Sequence, residues 1–324
     1  MPVGNSDSGV GLWAGQIMFA VDNINQYVDW WHEALPGSGE GFDHEGTLTS
    51  TIVVPKITIG LSNFWNLTLS QTIGNRYMNW NGDAKTIHHR DEGTNSDFLN
   101  ALGGYFGDTK IIARYLLFND GEGAGKRFFI GGGLNIPSKA TLTSDPYFLN
   151  EEEKTEHRHF SLSEGAYKWV LETQFFKKRD LNPVFVGGTI SSEIPLKENK
   201  YGFKASFSHG LSFSALTKEI RSIKGSLGII SDFRYTSKAY WNGVVAPNSE
   251  SAILSIGVGG LWKLGSGVFG VNIQKPYFIK GGFSSLENEQ KQKQKQRVGA
   301  IQVSISYRKM FDYTIPWLDP FKKI

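Results

Sequence analysis

The sequence predicts an all-β protein, a transmembrane antiparallel β-barrel of about 12–14 strands with a short irregular N-terminal segment and an irregular C-terminal tail. Apolar and polar residues alternate with a period of 2 over segments of about 9–14 residues, the length of a tilted membrane-spanning strand. The 324 residues include 38 glycines and 13% aromatic residues, a composition that is compatible with a transmembrane β-barrel. Short turns also alternate with long polar loops, as they do in outer-membrane barrels.

The alternation is clearest in residues 201–215. Aromatic and aliphatic side chains share one face, lysine and serine side chains share the other, and His209 alone interrupts the apolar face. Successive side chains of a strand point to opposite faces. In a barrel the apolar face contacts lipid and the polar face lines the lumen. A soluble β-sandwich alternates as well, but its strands are usually shorter, so the segment lengths favour the barrel.

The composition narrows the function classes. The chain has no cysteine, which excludes thiolate metal sites, cysteine nucleophiles and disulfides. A net charge of +3 is too small to indicate nucleic-acid binding. No apolar run is long enough for a transmembrane helix, and the first residues lack the features of a signal peptide. The protein is therefore either cytosolic or a protein whose signal peptide has been removed. Because the strands predict a barrel, we expect the second, a protein of the bacterial outer membrane with lipid as a partner and no cofactor.

We interpret residues 1–324 as a single barrel domain in which two segments do not alternate. Residues 23–45 are predicted to form a short plug or loop, and residues 310–324 an irregular tail. The aromatic residues of the predicted plug either line a pocket for an apolar solute or fix a loop to the wall: they are Trp30, Trp31 and Phe42.

Charged and amide residues on the polar faces of the predicted strands are the candidates for lining the lumen. They either select the permeating solute or brace the strands as ion pairs, since buried charges are costly unless they are paired or hydrated. The candidates are Arg114, Lys168, Glu172, Lys204, Asp232, Arg234, Lys263, Gln274 and Arg308.

The motifs do not indicate an enzyme, because no nucleophile elbow, phosphate-binding loop or zinc-protease motif occurs. Ser208 and His209 are adjacent, so on a strand their side chains point apart. His157 and His159 are spaced to share a face and form a weak candidate metal half-site with a carboxylate from residues 151–153. A polar loop is the favoured interpretation of these histidines, since metal binding needs more convergent ligands.

An ordered series of segments resembles a known family. The segments are STIVVPKITIGLSNFWNLTLSQTIG, FGDTKIIARYLLF followed by RFFIGGGLNIPSKA, and the stretch from WNGVVAPNSES to QKPYFIKG. Over roughly residues 45–309 this series resembles the outer-membrane transporters of the MetA-pathway-of-phenol-degradation family, which are distantly like FadL-type channels. The chain departs from that pattern in its last residues and in a Gln/Lys-rich loop. The resemblance implies a barrel that passes small apolar or aromatic compounds.

The expected function is therefore an outer-membrane channel for small hydrophobic or aromatic solutes, without covalent chemistry. One alternative is a plugged barrel that serves as an anchor or as a subunit of an envelope assembly, with a protein partner bound by the long loops or the tail. A second alternative is a secreted soluble β-sandwich that binds carbohydrate. Nucleic acid is not an expected partner.

Overall fold

The computed structural model describes residues 6–33, 43–81, 90–120, 123–147, 156–282, 284 and 296–319. In these ranges no helix is long and apolar enough to cross a membrane. The strands in chain order are β1 (Gln16–His32), β2 (His44–Gly60), β3 (Trp65–Asn81), β4 (Glu92–Gly93), β5 (Phe106–Asn119), β6 (Gly125–Ile136), β7 (Lys168–Lys178), β8 (Phe185–Pro195), β9 (Phe203–Lys204), β10 (Ser208–Leu216), β11 (Gly225–Thr236), β12 (Tyr240–Trp241), β13 (Val244–Val245), β14 (Ser251–Leu264), β15 (Gly267–Lys280) and β16 (Gln296–Thr314).

The twelve longer strands form one closed antiparallel barrel. Each pairs with the barrel strands that precede and follow it along the chain, and β16 pairs with β1 to close the ring. The seam between β1 and β16 runs from the pair Gln16–Thr314 to the pair His32–Gln296, with one irregularity between Gln16 and Met18. The predicted barrel is confirmed at twelve strands, the lower limit of the expected range.

The two ends of the barrel differ. Five short connections and the start of β1 lie at one end, the turn end, together with the last residues of β16. All the longer connections lie at the other end, the loop end. There β9, β12 and β13 form a small separate sheet that buries Ala239, Trp241 and Ala246. In outer-membrane barrels the short turns are periplasmic and the long loops are extracellular.

The outward face of the wall is apolar. Leu211, Ile229 and Val258 are 51%, 56% and 63% exposed, and outward-facing residues of the other barrel strands are similarly exposed. Soluble proteins rarely expose apolar patches of more than a few hundred Å². An exposed belt around the barrel is suited to lipid, which disfavours the soluble sandwich.

Four adjacent strands are longer than a membrane crossing requires. β1, β2 and β3 have 17 residues each and β16 has 19, whereas a tilted crossing takes about 9–11. At the loop end of β1, Val28 and Trp30 are buried on the inward face, and the polar residues Asn25 and Asp29 alternate with them on the outward face. The polarity of the two faces is therefore reversed where the strand extends past the lipid.

This reversal explains why the predicted plug or loop was wrong for residues 23–32, while residues 34–42 lie outside the described residues. Trp30 and Trp31 lie within β1 on opposite faces, and residues 44 and 45 begin β2. Trp30 packs against Trp80 and His32 in the wall, with ring centroids 5.4 Å and 5.9 Å apart. Phe42 lies outside the described residues.

The predicted start of the irregular tail at residue 310 was also wrong. Residues 310–314 continue β16, where Met310 pairs with Met18 and Thr314 pairs with Gln16 of β1. The irregular structure begins at Ile315, whose amide donates a hydrogen bond to the carbonyl of Gly15. The tail from residue 320 onward lies outside the described residues.

A charge on the outward face tests the lipid-facing assignment. Val258→Arg places a cation on the middle of β14, and we expect it to lower the free energy of unfolding in lipid vesicles by about 2–4 kcal/mol. The control Thr49→Arg lies on the outward face of β2 toward the loop end, where the expected loss is at most about 1 kcal/mol. Equal losses in the two variants would contradict an apolar belt limited to the membrane level.

Candidate functional site in the barrel lumen

The N-terminal segment, residues 6–14, lies inside the barrel near the turn end. Ser6, Asp7, Ser8 and Leu12 are at most 5% exposed. This segment directly precedes β1 along the chain. We call residues 6–14 the N-terminal plug.

Backbone hydrogen bonds to wall side chains fix the path of the plug. The amide of Ser6 donates to Asp22 of β1 at 3.2 Å, and the amide of Gly9 donates to Gln174 of β7 at 2.8 Å. Asn66 of β3 accepts from the amide of Leu12 at 3.4 Å and donates to the Val10 carbonyl at 2.9 Å. These polar wall residues therefore supply the partners that an irregular buried backbone requires.

Asp7 is the ionic centre of this contact. One carboxylate oxygen binds Nζ of Lys56 on β2, and the other lies 2.7 Å from Nη1 of Arg114 on β5. Lys56 also pairs with Asp22 at 2.7 Å. Burial by itself would raise the pKa of the Asp7 carboxyl group, but the charges of Lys56 and Arg114 outweigh burial and hold this pKa well below its ordinary value. Asp7 is therefore ionised at neutral pH.

Glu172 on β7 orients the arginine. Its two oxygens accept from Nε and Nη2 of Arg114 at 2.6 Å and 3.3 Å, and the hydroxyl of Thr68 accepts from Nη1 at 3.0 Å. A guanidinium bound along one edge by a carboxylate has little freedom to rotate. Nη1 of Arg114 is thereby directed at the plug.

One side of the lumen beside the plug is apolar. β5, β6 and β7 turn large hydrophobic side chains inward there, and the smallest exposed fractions belong to Phe129 at 1%, Val170 at 2% and Phe176 at 3%. Gly9 has a φ of +69°, and a Cβ on it would lie 2.9 Å from the Phe176 ring. Glycine is required at this position both for the backbone conformation and for the close approach to the ring.

A second group of polar residues lines the lumen toward the loop end. Lys110 pairs with Glu193 at 2.5 Å, and Lys168 lies 3.9 Å from the same carboxylate. Across the barrel, Gln274 donates to Asp232 and accepts from Gln302 at 3.0 Å. The lumen is therefore lined by paired charges and amides above the plug as well as around it.

Most of the predicted lumen residues face the lumen. Arg114 and Glu172 contact the plug cluster. Lys168 and Gln274 are buried on the inward face of the wall, and Arg308 is half-buried there, with its Nη1 atom buried. By strand alternation the more open inward positions are Asp232, Arg234 and Lys263, with Lys263 close to the turn-end mouth. Their part in solute selection remains a prediction.

The prediction for Lys204 was wrong, because residues 201–215 do not form one strand. Lys204 lies in β9 of the small loop-end sheet, where its ammonium group is 5.6 Å from the Tyr240 ring centroid. The barrel strand β10 begins only at Ser208. Apolar and polar residues alternate both before and after the break between β9 and β10, so the sequence does not show it.

His157 and His159 are close together in the long loop before β7, with ring centroids 4.5 Å apart. Nδ1 of His159 lies 2.5 Å from the buried carboxylate of Glu92. Among the described residues no group of three or more possible ligands is arranged to hold a metal ion. The carboxylates proposed to complete the half-site, residues 151–153, lie outside the described residues.

The sequence reasoning missed the residues that matter most for the plug, which are Asp7, Lys56 and Gln174. The segment Ser6-Asp7-Ser8-Gly9 has no periodicity and reads as a solvated terminus. Lys56 does lie on an alternating segment, and its position beside Pro55 obscured which face it occupies. A carboxylate in an N-terminal segment, together with cations at inward positions of the strands, was the available signal.

No family model matches the chain, and no curated protein matches it. Among solved structures it is similar to the COG4313 outer membrane channel from Pseudomonas putida F1, with a TM-score of 0.57 and 13% identity over 95% of this chain and 100% of that one. A mutant of the TodX monoaromatic hydrocarbon channel gives a TM-score of 0.47 and 9% identity over 95% and 93% of the two chains. The first similarity shows that the fold is that of an outer-membrane β-barrel.

Removing the Asp7 charge should release the plug. Asp7→Asn leaves Lys56 and Arg114 without the plug carboxylate, and breaking a buried ion pair costs about 3 kcal/mol or more. We expect hydrogen-exchange protection of the Gly9 and Leu12 amides to fall at least about 100-fold. Ser8→Ala is the control, because the Ser8 hydroxyl has no hydrogen-bond partner. Unchanged protection in Asp7→Asn would show that the ion pairs do not hold the plug.

The lowered pKa of Asp7 sets the pH dependence of plug docking. A carboxyl pKa that is lower in the docked state stabilises docking fully above the ordinary value of about 4, and this contribution is lost only as the pH falls through the lowered value. We expect protection factors for the Gly9 and Leu12 amides to be constant from about pH 8 to about pH 4. A midpoint near the ordinary carboxyl pKa would contradict the ion-pair assignment.

Proposed function

We propose that this protein is a channel of the bacterial outer membrane for small hydrophobic or aromatic solutes, that it has no catalytic activity, and that its N-terminal plug controls the lumen. We further propose that it belongs to the MetA-pathway-of-phenol-degradation family. The observation that supports the channel function is how few interactions hold the plug. A single ionised side chain and a few hydrogen bonds hold the segment, with polar groups on the wall around it.

The lumen supports this proposal because it offers two kinds of surface. Phe129, Val170 and Phe176 provide an apolar side, and Arg114 and Lys56 a charged one. A small aromatic solute leaves water more readily when an apolar surface is available to it. The polar groups of the wall along its path have to remain paired. The outer membrane channel from Pseudomonas putida F1 has the same fold at 13% identity, which is compatible with this role.

A second candidate function is a permanently plugged barrel that serves as a structural anchor. The observation in its favour is the same docking, because Asp7 has both its oxygens bound and lies within the wall contacts. In that case the loop-end sheet of β9, β12 and β13 is the surface on which an envelope protein would bind.

Conductance separates the two functions. We expect purified protein in a planar bilayer to be closed or flickering, and a variant that lacks residues 6–14 to show discrete steps, because deletion empties the turn-end lumen. Liposomes that contain this variant should swell in benzyl alcohol faster than liposomes with the intact chain. Heat-modifiable electrophoretic migration confirms folding in both. A folded deletion variant without steps and without swelling would favour the anchor.

A further inference from the structure

We propose that Lys56, Arg114 and Arg308 form a carboxylate-binding site in the lumen, that Asp7 of the plug occupies this site in the closed state, and that solutes with a carboxylate displace it. The inference rests on the proposed channel function and names its substrate class: small aromatic or aliphatic monocarboxylates. The plug is thus an internal competitor for the site that the solute needs.

The geometry at Asp7 is that of a bound carboxylate ligand. Each oxygen meets a different cation, Lys56 on β2 and Arg114 on β5. Glu172 binds the far edge of Arg114, so Nη1 points inward whether or not Asp7 is present. A free carboxylate has the same two oxygens and the same charge as the Asp7 side chain, so it can make the same pair of contacts.

Arg308 supplies a third cation beside this clamp. The pairing of β1 with β2 and with β16 sets Lys56, Ala20 and Arg308 side by side in one row. Ala20 is small and fully buried, so no long side chain of the wall stands between the two cations. Arg308 therefore lies on the same inward row as Lys56, two strands away.

Arg308 is not satisfied in the closed state. Its Nη1 is buried and has no hydrogen-bond partner, and neither does the buried hydroxyl of Ser306, two residues away on the same face of β16. Leaving a buried charged donor unpaired is unfavourable, because the group loses its hydrogen bonds to water and gains none in the protein. A carboxylate that enters beside the plug satisfies these donors at once, before it competes with Asp7.

The charge balance of the cluster also favours an anion. The wall contributes three cations, Lys56, Arg114 and Arg308, and two carboxylates, Asp22 and Glu172. Asp7 supplies the third negative charge. When the plug leaves, the wall cluster keeps one excess positive charge, which a monocarboxylate compensates and a neutral solute does not.

The plug also lies beside the apolar wall. Leu12 is 2% exposed, and an added Cβ on the neighbouring Gly11 would lie 3.7 Å from Leu116 and 3.8 Å from the Phe129 ring. The space that the plug fills therefore adjoins both the cations and hydrophobic side chains of the wall. A benzoate-like molecule carries a matching carboxylate and apolar ring in one small body.

Competition between a solute carboxylate and Asp7 for the cation site is measured by hydrogen exchange on the full chain in detergent. We expect benzoate to lower the protection of the Gly9 and Leu12 amides in a saturable way, and benzyl alcohol at equal concentration to leave it unchanged. In Arg308→Gln the benzoate concentration at half effect should rise about tenfold. Lys309→Gln is the matched control, because it removes the same charge from the next residue of β16, on the outward face.

The outcomes are distinct. Equal effects of benzoate and benzyl alcohol on the unaltered chain would overturn the carboxylate site, and so would equal shifts in Arg308→Gln and Lys309→Gln. Migration before and after heating shows whether each variant is folded, and Arg308→Lys, which keeps the charge, should respond at nearly the original concentration. If the variant without residues 6–14 passes benzyl alcohol but benzoate never loosens the plug, the channel function stands and only this inference fails.

Discussion

The pairing of β1 with β16 is the constraint on which the rest of the structure depends. Lipid offers no hydrogen-bond partners, so a sheet that crosses a membrane has to be closed. Closure gives the sheet an inside and an outside, and the alternation of each strand then sends apolar residues to lipid and polar residues to the lumen. The cluster at Asp7 exists because inward positions of β1, β2, β5 and β7 converge within this ring.

The strands that could be predicted are those whose outward faces contact lipid. Where a strand crosses the membrane level, as in residues 251–264, period 2 is explicit and β14 is found as expected. Where strands extend past the lipid, the outward face meets water and the rule no longer holds. Residues such as Asn25 and Trp30 then follow the reversed pattern, with the polar side chain outward and the apolar side chain packed inward. Local sequence carries little information about that packing.

The site was predictable in part for the same reason. Arg114, Glu172 and Arg308 stand on clear polar faces, so their inward direction follows from alternation. Which of them pair with one another depends on strand neighbours and register, which the sequence does not state. Asp7 lies outside any repeating pattern, and only the closed barrel shows that its partners are wall cations.

The placement of the plug has a consequence for the order of assembly. Its hydrogen bonds and ion pairs described above join it to β1, β2, β3, β5 and β7, all in the first part of the chain. A sheet of those strands is still open on one side, and the segment can settle against it without being threaded. Arg308 lies instead on β16, at the seam with β1. Closure of that seam, at whatever stage it occurs, is therefore also what brings the third cation beside the plug carboxylate.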